Sequence, residues 1–330
     1  NDINQRGIKR IFCLGDSIAK CANPDLVVDR LREVCEVMLI GNSDYSICRP
    51  EVRDKKFWSR LKLGEERANY LFNLPISYEF YMSGHLIRLF HASPVGLSNI
   101  YNPMFSNKGT RYEGAELYNP EDLFQNTDFI GKTSNDPIPD IIGYGHIHTP
   151  CIFRFKNKTV FNPGSVGISV EMLNTNLNDK SNKFSTLASY IIIEGNYNSK
   201  DLASISFNLV RVPYDIEKEI KFLEESDMPS KDIAIRSLRG ALPTTYDLNQ
   251  ELKGWKNLYF LKGMWLSMSN DNFQSIEDDS KPASSQLNLN NQIDKYNLAK
   301  NILRKYNQEH LLCLYDELSE NEKEILLNQI

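Results

Sequence analysis

Two apolar runs, each ending in a glycine followed by a polar residue able to bind a ligand, constrain this chain more than any other feature. IKRIFCLGD ends in Gly15-Asp16, and CEVMLIGNSD ends in Gly41-Asn42-Ser43-Asp44. Between them, NPDLVVDRLREV places Leu26, Val27, Leu31 and Val34 at helical spacing behind Asn23-Pro24. Two buried strands flanking a helix predict a βαβ unit of a parallel sheet. In such sheets ligands gather just beyond the carboxyl ends of the strands, where Asp16 and Asn42 stand.

The pattern repeats downstream. A helical stretch over 56–74 leads to Pro75, and ISYEFYMSGHLIRLFHASP reads as a hairpin pivoting on Ser83-Gly84 whose second strand ends at His91. The Asn-, Tyr- and Gly-rich segment 97–135 contains a helix near Pro120 to Asn126 and is expected to shape a pocket. DIIGYGHIHTP is a strand ending in a His-rich turn, and CIFRFKNKTVFNPGSVG is a hairpin through Lys156-Asn157 closed by Asn162-Pro163-Gly164-Ser165. SYIIIEG and ISFNLVRVPYD read as an antiparallel pair, followed by helices over 215–225 and 231–238.

Composition narrows the class. Forty-three Asp and Glu against 38 Lys and Arg leave a net charge of -5 over 330 residues, so there is no global basic field to drive binding to nucleic acid or an anionic membrane. No apolar stretch reaches the roughly 20 residues of a spanning helix. The six cysteines (Cys13, Cys21, Cys35, Cys48, Cys151 and Cys313) are scattered, with no CxxC pair. They read as free thiols of a cytoplasmic protein, neither a disulfide framework nor a thiolate zinc site.

Histidine is scarce and informative: of five in the chain, His85, His91, His146 and His148 lie between positions 85 and 148. Together Asp16, Asn42, His91, His146 and His148 offer the mixed oxygen and nitrogen donors suited to Mn, Fe, Zn, Ni or Co. Each alone reads as a turn cap or an interior histidine; together, at four strand ends, they point to a hydrolytic two-metal site. The i, i+2 spacing of His146 and His148 puts both on one side of a strand but leaves their directions open in a turn. His85 and His310 are expected outside the site, Arg211, Arg236 and Arg239 on solvated faces, and Tyr144 in the core.

The order CLGD, GNSD, HASP, GHIHTP and FNPGSVG resembles the calcineurin-like metallophosphoesterase superfamily, in particular its small bacterial phosphodiesterase branch, from the first residue to about Asn249. The resemblance implies an α/β (α+β) fold, a four-layer αββα sandwich. It also implies a divalent transition-metal cofactor, Mn foremost, in a two-metal site. By the same resemblance Asp16 bridges both ions, Asn42, His91 and His146 complete one site, and His148 belongs to the other. The implied reaction is phosphodiester hydrolysis by a metal-activated hydroxide, on a phosphodiester or another phosphorylated small molecule, with Asp16, Asn42 and Asp44 in the catalytic machinery.

Two departures from the family pattern matter. Members usually open with a strand ending in Asp-x-His, which ligates the same ion as His148; here the chain opens DINQRGIKR, with Asn4 where that His would stand. The expectation is therefore a sandwich lacking its first strand, one site with four ligands and the other with Asp16 and His148 alone, and impaired activity. Truncation is the favoured explanation over true loss of a metal. Second, Ser43 stands where the family often has a His that protonates the leaving group. A hydroxyl of high pKa delivers protons poorly, which suits good leaving groups, and Asp44 is then either a partner of a ligand or a turn-stabilising residue.

Three segments are expected: residues 1–250 as the metallophosphoesterase-like domain, 251–292 as a polar and largely flexible linker, and 293–330 as a helical tail. In the tail, KYNQEHLLCLYDELSENEKEILLNQI resembles the helical leader of UDP-sugar pyrophosphorylases. The competing functional reading is a non-catalytic interaction scaffold on the same fold, as in the retromer subunit that resembles it. A phosphomonoesterase or nucleotide pyrophosphatase would differ only in its pocket.

Overall fold

The computed structural model describes residues 1–241 apart from 19, 51–57, 100, 102, 104–116, 118, 172–182 and 230. The expected linker and helical tail lie outside the described residues, as does part of the segment expected to shape the pocket, at 100, 102, 104–116 and 118.

The chain starts with a short helix α1 (Asp2–Gln5). The predicted βαβ unit follows as β1 (Phe12–Cys13), α2 (Pro24–Val34) and β2 (Val37–Met38), with β1 and β2 parallel and Cys13 opposite Met38. Both strands are shorter than their apolar runs. The run after β2 turns directly into helix α3 (Asn42–Cys48), which the sequence reading left unassigned. The helix expected over 56–74 is α4 (Trp58–Phe72), interrupted where Gly64 takes φ 71° and ψ 168°, values outside the helical region.

The hairpin through Ser83-Gly84 is β3 (Ser77–Met82) and β4 (His85–Phe90). The helix expected near 120–126 is instead a pair of 3-10 turns, Pro120–Phe124 and Asp128–Ile130. After β5 (Ile141–Tyr144) comes the hairpin of β6 (Cys151–Phe155) and β7 (Lys158–Asn162). A short pair, β8 (Ser169–Glu171) and β9 (Lys183–Ser185), lay below the length at which alternation is readable. The antiparallel ribbon of β10 (Leu187–Glu194) and β11 (Ser206–Pro213), then α5 (Ile216–Glu225) and α6 (Lys231–Leu238), match the expected elements.

Strands β3-β4-β5-β7-β6 form one five-stranded sheet. Its one face contributes Phe80, Met82, Ile87, Leu89, Ile141 and Phe161 to a core closed by Phe12, Leu14, Val37 and Leu39 of the βαβ unit and Ile191, Ile193 and Phe207 of the β10–β11 ribbon. That is a sheet-on-sheet interface. The other face buries Phe90, Ile142, Tyr144 and Val160 under Leu123 and Phe124 of the first 3-10 turn. The two packed β-layers are the centre of the αββα arrangement implied by the sequence motifs. Burial on both faces explains why β4 and β5 read as continuous apolar runs.

The central sheet also positions the chemistry. Strands β4 and β5 run parallel, with Phe90 opposite Tyr144, so His91 and Gly145-His146 leave the sheet at the same edge. The Gly145 N–H donates to the His91 carbonyl at 2.7 Å, extending the ladder one step past the strands.

Candidate metal centre

The site is assembled where the turns after β1, β2, β4 and β5 meet. Two glycines permit the approach of the first two turns. A Cβ on Gly15, whose φ is +96°, would lie 2.5 Å from the Gly41 nitrogen, and a Cβ on Gly41 would overlap both the nitrogen and Oδ1 of Asp16. Only backbone without side chains fits at this crossing. Asp16, His146 and His148 all have left-handed backbone, with φ of 59°, 63° and 59°. Non-glycine residues hold such angles only where surrounding contacts enforce them.

His91, 2% exposed, carries the decisive geometry. Its Nδ1 lies 2.7 Å from the Leu14 carbonyl oxygen. A carbonyl can only accept, so Nδ1 bears a proton, and Nε2, the ring's other ligating atom, turns inward. Nε2 faces Asn42 Oδ1 at 3.0 Å, His146 Nδ1 at 3.2 Å and Asp16 Oδ1 at 3.5 Å. Four atoms able to ligate a metal thus converge: His91 Nε2, Asn42 Oδ1, Asp16 Oδ1 and His146 Nδ1. With the facing ring nitrogens unprotonated, such a cluster is attractive around a divalent cation. The donors fit a transition metal: one carboxylate, one amide oxygen and two imidazoles. Among the described residues, Asp16, His91 and His146 are also the one trio of His, Cys, Asp or Glu that brings candidate ligand atoms within 4.8 Å of one another.

His148 departs from His146 in direction. Its Nδ1 donates to the Ile168 carbonyl at 2.7 Å, which again fixes the proton on Nδ1 and leaves Nε2 available. Burial lowers its pKa below 6.5, against the opposing pull of Asp16. Because the two histidines occupy a turn, the i, i+2 spacing does not place them side by side.

The two carboxylates differ. Burial pushes the Asp16 pKa up, but His91 and His146 outweigh it and hold the group below its ordinary value. Asp16 Oδ1 also accepts from the Ser43 N–H at 2.8 Å. Asp44 is fully buried, and its pKa is pushed up to about 6 by burial and then by the nearby Asp16 charge. Its oxygens accept from backbone amides: Oδ2 from Asp16 at 2.7 Å and Gly41 at 3.1 Å, Oδ1 from Ser17 at 2.9 Å.

Asn162 of FNPGSVG is fully buried and has a supporting role that the motif alone does not reveal. Its side-chain nitrogen donates to the Gly145 carbonyl at 2.6 Å and its oxygen accepts from the Gly164 N–H at 2.9 Å, which ties the His-rich turn to the turn after β7. Its position after an alternating strand and before Pro-Gly was the available signal. His85 begins β4 opposite Met82, outside the cluster. Arg211 and Arg239 pair with Glu171 and Glu217, and Tyr144 is core.

The chain is similar to several known proteins. An uncharacterized protein of Methanocaldococcus jannaschii is 29% identical over 238 residues, spanning 69% of this chain and 86% of that protein. Among solved structures, a metallophosphoesterase from Sphaerobacter thermophilus aligns with 73% of this chain and 92% of its own, at 18% identity and a TM-score of 0.46. A hypothetical protein from Pyrococcus horikoshii aligns with 72% and 88%, at 16% identity and a TM-score of 0.43. The model of the calcineurin-like phosphoesterase superfamily domain matches residues 1–179, just over half of the sequence. With His91, Asn42, Asp16 and His146 converging inside that match, the chain belongs to the calcineurin-like phosphoesterase superfamily, whose members are metal-dependent phosphoesterases.

Proposed function

We propose that the protein hydrolyses phosphodiesters that carry a good leaving group, with Mn2+ as the preferred ion. The observation that carries the reading is the convergence of His91 Nε2, Asn42 Oδ1, Asp16 Oδ1 and His146 Nδ1. A divalent ion held there supplies Lewis acidity toward a phosphoryl oxygen and lowers the pKa of water in its reach.

The remaining work falls to the chain. Asp16 and the two ring-nitrogen donors hold negative charge and lone pairs on one side of the site. The Nδ1 protons of His91 and His148 are committed to carbonyls of Leu14 and Ile168, so neither ring turns to deliver a proton. Ser43 offers a hydroxyl and no titrating imidazole, which favours a leaving group that departs without protonation. Among the described residues, His148, whose Nδ1 is held by the Ile168 carbonyl, and Asp16 are the two that would serve a second ion. The cytoplasmic assignment rests on Cys13, Cys21, Cys35, Cys48 and Cys151, all unbridged. No helix among the described residues is long and apolar enough to cross a membrane.

Purified protein with added Mn2+ should release p-nitrophenol from bis(p-nitrophenyl) phosphate faster than from p-nitrophenyl phosphate. Asn42→Ala and His91→Ala should abolish the difference. The reverse preference would overturn the diester assignment, and rates unaffected by either substitution would overturn the site.

A further inference from the structure

We infer that Asp44 is a positioning residue, a buried clasp that sets the separation of Asp16 and Asn42, with no part in proton transfer to or from substrate. This rests on reading Asp16, Asn42, His91 and His146 as a metal site. A single oxygen, Asp44 Oδ2, accepts from Asp16 N at 2.7 Å and from Gly41 N at 3.1 Å, so one atom joins the turn after β1 to the turn after β2. The second oxygen takes the Ser17 N–H at 2.9 Å. The clasp is reciprocal: Asp16 Oδ1, which faces the cluster, accepts from Ser43 N of the opposite turn at 2.8 Å.

The alternative role, general acid or base, needs an oxygen that reaches substrate. Asp44 is 0% exposed, and both of its oxygens are occupied by backbone amides. The glycines leave no room for a side chain between the turns, so the distance is held by the Asp44 bonds together with the Ser43 N–H to Asp16 bond. Without the carboxylate, three buried N–H groups lose their acceptor. With only the Ser43 N–H to Asp16 bond left across the crossing, Asp16 and Asn42 would be held less firmly, and a metal site tolerates a shift of a fraction of an ångström poorly.

The test uses the full chain and Mn2+ alone. Asp44→Asn keeps the shape but puts an NH2 against an amide, and its Mn2+ affinity measured by calorimetry should fall about 10–100-fold while circular dichroism stays that of the parent. A proton-transfer residue would instead lose rate in the same substitution and keep Mn2+ affinity, which would overturn the inference. As a check that needs no variant, the amides of Asp16, Ser17 and Gly41 in the parent protein should exchange with deuterium as slowly as those of β4. Rapid exchange would also overturn it. Parent protein that takes up no Mn2+ would overturn the metal reading and the clasp together, whereas a parent that binds beside an equally tight Asp44→Asn would overturn the clasp alone.

Discussion

His91 Nε2 stands 3.0 Å from Asn42 Oδ1 while Nδ1 of the same ring donates to the Leu14 carbonyl. With Nε2 unprotonated, both atoms offer electron pairs toward the same point and repel each other. A cation relieves that repulsion and binds folded protein only, so it adds stability as RT ln(1 + [L]/Kd), about 2.7 kcal/mol at a hundredfold excess over Kd. Mn2+ should raise the melting temperature, and a chelator should reverse the rise. In His91→Ala and Asn42→Ala the rise should shrink to near nothing in a thermal melt.

Gly41 and Gly167 form a contrasting pair. A Cβ on Gly41 would overlap Asp16, whereas one on Gly167 would meet nothing within 4 Å. Backbone cannot retreat as a long side chain can, so Gly41→Ala should destabilise by roughly 1–3 kcal/mol or more and weaken metal binding with it. Gly167→Ala should stay within about 0.5 kcal/mol of the parent. Urea unfolding of the two variants beside the parent measures the difference.

The sheet framework was readable from sequence because its signals are local. Alternating or continuous apolar runs, Ser83-Gly84 and Lys156-Asn157 mark hairpins by chemistry that does not depend on distant contacts. The site was readable as a set of strand-end residues, since parallel neighbours such as β4 and β5 must discharge at one edge. What stayed hidden depends on three-dimensional approach. Nothing in GNSD distinguishes a helix start from a turn, nothing in GHIH says that two histidines diverge, and the burial of Asp44 against Asp16 is set 28 residues away along the chain.

His148 gives a pH dependence of definite sign. Burial lowers its pKa below 6.5 in the folded protein, so below 6.5 the unfolded chain binds the proton more readily. Stability from this group is fully present above 6.5 and is lost as pH falls through the lower native value. Asp44, raised to about 6, runs the other way between its ordinary 3.8 and that value. The difference between parent and His148→Asn isolates the histidine. In chelator, the stability advantage of the parent should be smaller at pH 5 than at pH 7, and the His148 ring signals should titrate with a midpoint below 6.5.

Arg88 supplies a test of the scaffold apart from the site. Fully buried in β4, it donates from Nε to Glu79 at 2.6 Å, and from its other nitrogens to the Gln125 carbonyl at 2.9 Å and Asn126 Oδ1 at 2.6 Å. Removing one partner of a buried pair typically costs about 3–5 kcal/mol because the other charge is stranded. Here Glu79 keeps an ion pair with Lys132 at 2.5 Å, which places Arg88→Met toward the lower end, about 3 kcal/mol. The guanidinium ties the central sheet to the segment that follows the first 3-10 turn and makes no contact with the ligand cluster. Chemical denaturation should therefore show the loss, while Mn2+ affinity of the folded variant stays that of the parent; a matched fall in both would mean that the sheet and the strand-end turns unfold as one unit.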